Sequence, residues 1–225
     1  LAWHDLDFER AEEAMRRAVE LSPQDVWIRF YYGGILSTAR RGDDILPQVE
    51  RMRELDPLNP IISSHVALFL FYAGRGDEAI AAAEQSLELF PDFWFLYYEL
   101  SFFLWQRRDG DAAIENMRRA IEMTEASIPF LLCVFAGMNA FFGRPDEAER
   151  WLARVEERSA AGEDSPTGRT FLEAARGNTD AAIAWMERGR AELDTLFVWT
   201  RAFCEQQGLI TDERLREAME RLGLP

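Results

Sequence analysis

The sequence predicts an all-α fold: a right-handed solenoid of stacked antiparallel helix pairs, about five and a half repeats followed by a C-terminal capping helix. Three columns of residues carry this expectation. Small or apolar residues recur at Ala11, Ile45, Ala79, Ala113, Ala148 and Ala182, at spacings of 34, 34, 34, 35 and 34 residues. Aspartates keep the same period at Asp43, Asp77, Asp111, Asp146 and Asp180. So do the prolines Pro23, Pro57 and Pro91. A period of this length is one helix-turn-helix unit, which leaves an apolar face that only its neighbours can cover.

Each element follows from that register, with the recurring small residue taken as position 20 of the unit. The repeats fall near 1–25, 26–59, 60–93, 94–127, 128–162 and 163–195, with 196–225 as a C-terminal capping segment of a single domain, 1–225. Helix pairs are expected near 26–56, 60–90, 93–124 and 129–157. The aspartates of position 18 have the chemistry of N-caps for the second helices, since a carboxylate accepts from free backbone N–H groups. Gly42, Gly76 and Gly110, or Gly143 and Gly177, are expected to supply the turns before them. Position 8 is small throughout (Gly33, Ala67, Ser101, Ala136, Thr170), allowing close helix approach, and position 24 forms an apolar seam from Met15 to Met186. Residues 158–164 read as a longer loop, after which Ser165-Pro166 opens a short helix as N-cap and first residue. Its partner runs from about Asp180 to Leu193. A last amphipathic helix starts near Thr211, with Leu215, Ala218, Met219 and Leu222 on one face and Gly223 ending it.

Composition narrows the function classes. The 225 residues are 48% hydrophobic and 29% charged, as in a folded protein, with a formal net charge of −15. All 25 cationic residues are arginine, which removes Schiff-base and P-loop lysines from consideration. The acidic balance argues against a nucleic-acid surface. No apolar run is long enough for a membrane span. Cys133 and Cys204 do not make a disulfide framework. His4 and His65 have no nearby partner at zinc-ligand spacing, and there is no nucleophile elbow, phosphate loop or H-E-x-x-H motif. The expectation is therefore a chain that is not an enzyme, with no catalytic residue, no metal and no cofactor.

The columns at positions 8, 20, 24 and 32 resemble those of tetratricopeptide repeats, most closely at Gly76-Asp77-Glu78-Ala79 and Gly110-Asp111-Ala112-Ala113. The large aromatic usual at position 4 is replaced by Arg29 and Ser63, although Tyr97 comes close. The start Trp3-His4-Asp5-Leu6-Asp7-Phe8, the middle Leu55-Asp56-Pro57-Leu58-Asn59-Pro60-Ile61-Ile62 and the end Gly223-Leu224-Pro225 are similar to the repeat region that closes many bacterial multidomain signalling proteins. In those proteins such arrays follow a winged-helix domain, a class III nucleotide cyclase or a Ser/Thr kinase, often with a TolB-like propeller segment between. Around Phe203 to Gln206 the chain departs from that pattern, where an Asp-Pro-Arg-Phe element is usual. A start inside a repeat, without an initiator methionine, suggests a fragment of a longer protein. The expected compartment is the cytoplasm, or an extracytoplasmic space if a membrane span precedes the fragment.

The resemblance implies that the first helices line a concave binding face. Their positions 2, 5, 9 and 12 bring Trp27 and Phe30, then Ile61, Leu68 and Phe71, then Phe95, Tyr98, Phe102 and Trp105, and finally Phe130 to that face. Position 6 adds Tyr31, His65 and Glu99, the last two close enough in register to meet or to share a ligand group. Three alternatives stay open for the aromatics: ordinary core of a superhelix wound tightly or filled by the chain's own C-terminal segment; a groove for an apolar peptide or helix of a protein partner; or a homodimer face. The expected function is a non-catalytic protein-interaction scaffold, the regulatory part of a bacterial signalling protein, binding neither nucleic acid nor membrane. The competing reading is a small-molecule or carbohydrate sensor using the same residues.

Overall fold

The structure, a computed structural model, describes residues 5–39 and 41–224. Expectations resting on Leu1 to His4 and on Pro225 lie outside the described residues. Among those described there are thirteen α-helices, one 3-10 turn and no strand. The helices are α1 Phe8–Leu21, α2 Val26–Thr38, α3 Gly42–Leu55, α4 Pro60–Tyr72, α5 Gly76–Leu89, α6 Trp94–Gln106 and α7 Gly110–Met123. They continue with α8 Pro129–Phe141, α9 Pro145–Ala160, α10 Pro166–Ala175, α11 Thr179–Ala191, the turn Phe197–Trp199, α12 Thr200–Gln207 and α13 Glu213–Arg221. Two compact units, Leu1–Phe103 and Leu104–Pro225, divide the chain inside α6.

In the first unit α2 pairs with α3 and α4 with α5. Their first helices start where a side chain can take up the free N–H groups. Asp25 Oδ1 accepts from the Trp27 and Ile28 amides at 2.9 and 3.3 Å, and Asn59 Oδ1 from Ile61 and Ile62 at 3.0 and 3.4 Å. The second helices correct the sequence reading. They begin two residues early, at Gly42 and Gly76, so Asp43 and Asp77 lie in the first turn and the cap positions are Arg41 and Arg75. The aspartates therefore act on the helix dipole and not as caps. The chain closes first: the Arg41 and Arg75 amides donate to Leu36 and Leu70 carbonyls at 2.9 Å. The turn glycine is Gly74 (φ 77°), not Gly76.

The small residue at position 8 has its reason at Gly33. A Cβ there would lie 2.3 Å from the Phe69 ring, which is itself only 1% exposed. Gly33→Ala is expected to cost about 1–3 kcal/mol through this overpacking, despite alanine's better helix propensity. Chemical denaturation followed by circular dichroism checks it, and an unchanged midpoint would count against a rigid contact.

In the second unit α8 packs on α9 and on α10, and α10 on α11. Here too Asp111, Asp146 and Asp180 stand in first turns; of the three helices that carry them, α7 alone has a carboxylate cap, Asp109, accepting from the Ala112 amide at 3.3 Å. Helix α9 runs to Ala160, three residues into the stretch expected to be loop. Buried Arg169 anchors what remains of it, reaching Glu156 with two bonds of 2.5 and 2.9 Å and lying 3.9 Å from Asp164. Asp164 in turn accepts from Arg188 at 2.8 Å. The C-terminal segment carries one helix more than expected, α12. Helix α13 packs on α11 as the anticipated cap, tied by Arg214 to Asp180 (2.8 Å) and Arg221 to Glu187 (2.6 Å), and Gly223 ends it with φ 83°.

Candidate functional site

Three first helices of the first unit, α2, α4 and α6, carry the aromatic positions. Their rings form a continuous strip. Trp27 meets Phe30 edge-on with centroids 5.5 Å apart, Phe30 meets Tyr31 at 5.1 Å and His65 at 4.5 Å, and His65 stacks on Phe95 at 5.5 Å. Phe95 then contacts Tyr98 at 5.2 Å, and Tyr98 contacts Phe102 at 5.0 Å. Exposure falls along this line. Trp27, Tyr31 and Ile61 are 41, 45 and 39% exposed; Phe30, His65, Leu68 and Phe95 are half-buried; Phe71, Tyr98, Glu99 and Phe102 are buried.

Only one end of the sequence-derived set therefore meets solvent. The reason is ring density: Phe71 stacks on Phe103 at 4.7 Å, closing that end as core. Trp105 and Phe130 belong to the second unit and are buried there. Trp105 packs among Phe141, Phe142 and Phe171, and Phe130 is covered by Phe203 of α12 at 6.4 Å. Gln106 and Gln206 are hydrogen-bonded, and Arg108 donates to the Gln207 carbonyl at 3.2 Å. Within the second unit the C-terminal segment thus covers aromatic positions that the repeat pattern alone leaves open. The atypical stretch Phe203 to Gln206 was the only trace of this in the sequence.

His65 and Glu99 do not form a hydrogen-bonded pair. The His65 Nδ1 lies 2.9 Å from the Ile61 carbonyl and 3.1 Å from Ser64 Oγ, which suits Nδ1–H donating to the carbonyl. Burial pushes its pKa down to about 4, against a smaller upward effect of that bond, so the ring is neutral at pH 7. Glu99 is 1% exposed, and neither carboxyl oxygen has a hydrogen-bond partner among the described residues. Burial holds its pKa well above the usual carboxylate range. The Tyr98 and Tyr72 hydroxyls are raised too, by burial first and by the neighbouring Glu99 carboxyl.

Arg29, the one cation on α2, α4 or α6, turns away from the strip. Its Nη2 and Nε donate to the Pro23 carbonyl at 2.9 and 3.2 Å. Both cysteines are buried free thiols whose pKa is pushed up to about 12 by burial, which suppresses thiolate chemistry. No helix among the described residues is long and apolar enough to cross a membrane.

Residues 67–128 match the family model for the tetratricopeptide repeat, and solved structures of such proteins share the arrangement of helix pairs along nearly the whole chain. The fold is that of tetratricopeptide repeats. PilW, a type IV pilus biogenesis factor, superposes with a TM-score of 0.61 at 14% identity, over 87% of this chain and 91% of that one. A tetratricopeptide repeat protein from Parabacteroides merdae gives 0.53 at 18% identity over 97 and 93% of the two chains. Yeast Tom70 gives 0.56 at 18% identity, over 93% of this chain and 46% of its own. At such identities the likeness is one of fold. No curated protein has a matching sequence.

Proposed function

We propose that this tetratricopeptide-repeat chain is a non-catalytic interaction module that captures a peptide or helix of a protein partner on the exposed end of the aromatic strip. The observation that carries the reading is the group Trp27, Tyr31 and Ile61, three large side chains about two-fifths exposed and joined to a rigid ring stack beneath. Rigid aromatic anchors of this kind dominate the affinity of peptide interfaces, and an apolar helix face suits such a surface. With no lysine in the chain and Arg29 engaged elsewhere, recognition rests on apolar anchors and not on clamping a carboxylate. In this reading the chain serves as the regulatory part of a larger bacterial signalling protein in the cytoplasm, and binds neither nucleic acid nor membrane. Its net charge of −15 supports the first of these exclusions.

The test is a displayed peptide library selected on the purified protein, followed by anisotropy titration of the enriched sequences. The double variant Trp27→Ala/Tyr31→Ala should weaken binding by thirtyfold or more, roughly the 2 kcal/mol expected of even one hot-spot residue. Both side chains are exposed, so the variant should keep its helical content. An unaltered affinity would remove the strip from the proposal. Light scattering over a wide concentration range covers the competing use: a dimer lost in the same variant would assign the strip to self-association.

A further inference from the structure

Position 4 of the first helix differs sharply between repeats. It is Arg29 in α2, Ser63 in α4 and Tyr97 in α6. Arg29 reaches back to the proline turn before its own helix, bonding the Pro23 carbonyl, and its Nη1 donates to Gln48 Oε1 at 3.0 Å. Tyr97 makes the corresponding contact with a phenol, its hydroxyl donating to the Pro91 carbonyl at 3.2 Å. Pro57 is the equivalent residue for α4, and Ser63 Oγ donates to its carbonyl at a long 3.3 Å. A hydroxymethyl group makes the bond but cannot fill the space that a guanidinium or phenol occupies in the neighbouring repeats.

The residue equivalent to Gln48 is also small in this repeat, Ala82. Two truncations at one place leave a solvent-connected cavity of approximately 390 Å³ among residues of α3, α4 and α5. Its floor is apolar, with Ile62, Val66 and Ala82 all buried. Its rim includes Leu89, 61% exposed, and the guanidinium of Arg53, which has no ion pair or hydrogen bond among the described residues.

We propose that this cavity is a binding site for a phenolic side chain, a tyrosine presented by a partner protein. The ring would lie on Ile62 and Val66, the hydroxyl would donate to the second lone pair of the Pro57 carbonyl, and Arg53 would cover the ring face. Tyr97 supplies the stereochemical precedent within the same chain. The lining also holds a carboxylate, Asp56, but Asn59 Nδ2 already donates to it at 2.9 Å; with the apolar floor and the cation on the rim, this selects a phenol over the other precedent, an arginine. The volume falls within the range of ordinary ligand pockets. The site is separate from the Trp27–Tyr31 strip and does not depend on the role proposed for it.

Two-dimensional amide NMR with p-cresol as probe tests the assignment. Shifts at Ser63, Val66, Ala82 and Ser86 should saturate in the millimolar range normal for a fragment of this size. The control 4-methylanisole, whose hydroxyl is methylated, should bind about fivefold more weakly through loss of the donor. Ser63→Tyr should supply the phenol from within, abolishing the titration and raising Tm by roughly 2–4 °C. If that variant misfolds, Ala82→Gln narrows the cavity from α5 as Gln48 does in the preceding repeat, and should weaken binding. Trp27→Ala/Tyr31→Ala should leave the titration unchanged. Absent or scattered shifts, equal affinity for the two probes, or undiminished binding by a correctly folded filled-cavity variant would overturn the proposal.

Discussion

Glu99→Gln is expected to make the protein more stable at neutral pH, with the advantage over the parent growing as pH rises. The cause is the buried carboxyl on α6, whose two oxygens have no hydrogen-bond partner among the described residues. Burial raises its folded-state pKa well above the ordinary value, while the unfolded chain titrates normally near pH 4.3. Below that pH both states hold the proton, and the carboxyl and the amide should be nearly equivalent. Above it the unfolded chain releases its proton and the folded one does not. The parent then loses stability relative to the variant by up to about 1.4 kcal/mol per pH unit, until the folded-state pKa is passed. The Tyr72 and Tyr98 hydroxyls facing this carboxyl stay protonated throughout the range, so they do not mask the trend. Denaturant melts of both proteins from pH 4 to pH 8 measure the difference directly; parallel curves would mean that the carboxyl is solvated or paired in solution. Glu99→Met, which removes the orphaned polar group entirely, should be more stable than Glu99→Gln by about 1–3 kcal/mol.

Trp105→Ala is expected to be the most damaging single truncation, at about 3–5 kcal/mol. Trp105 is fully buried, with Phe141, Phe142 and Phe171 at centroid distances of 5.3, 6.0 and 6.2 Å. Removing the indole leaves a hole bounded by rings at the end of α8 and on α10, which cannot all move in to close it. Thermal melts should show a fall in Tm of roughly 10 °C, taking 2–4 °C per kcal/mol for a chain of this size. Hydrogen exchange should place the loss first in α8 and α10. A Tm within a degree or two of the parent would refute the core assignment. The contrast with Trp27→Ala/Tyr31→Ala is informative, because the repeat register puts Trp27 and Trp105 on the same expected face. One substitution should affect a partner, the other the fold.

That contrast shows how far the sequence reached. Helix α2 could be placed from Asp25, a good cap before an apolar run, and α4 from Asn59-Pro60, because capping is local chemistry between neighbours in the chain. The second helices were found but misplaced by two residues at their starts, since these depend on backbone bonds from Arg41 and Arg75 to the preceding helices. Candidate site residues were harder. Position in a repeat says which way a side chain leaves its helix, but not what stands opposite. Phe130 and Phe71 have the same apolar character as Trp27, yet Phe203 covers the first and Phe103 stacks on the second. Direct pairing of His65 with Glu99, one of the two arrangements the register allows, is absent for a similar reason: the imidazole is held by the Ile61 carbonyl and the Phe95 ring.

The repeat, its helix pairs, the small contact at Gly33 and the absence of lysine could be read without coordinates, because all are properties of residue identity and spacing along one chain. The tertiary structure alone decided which aromatics stay in solvent, that Glu99 is left without a partner, and that Ser63 and Ala82 together open a cavity. Exposure, pairing and empty volume belong to groups brought together from distant positions, and no local pattern in the chain encodes them.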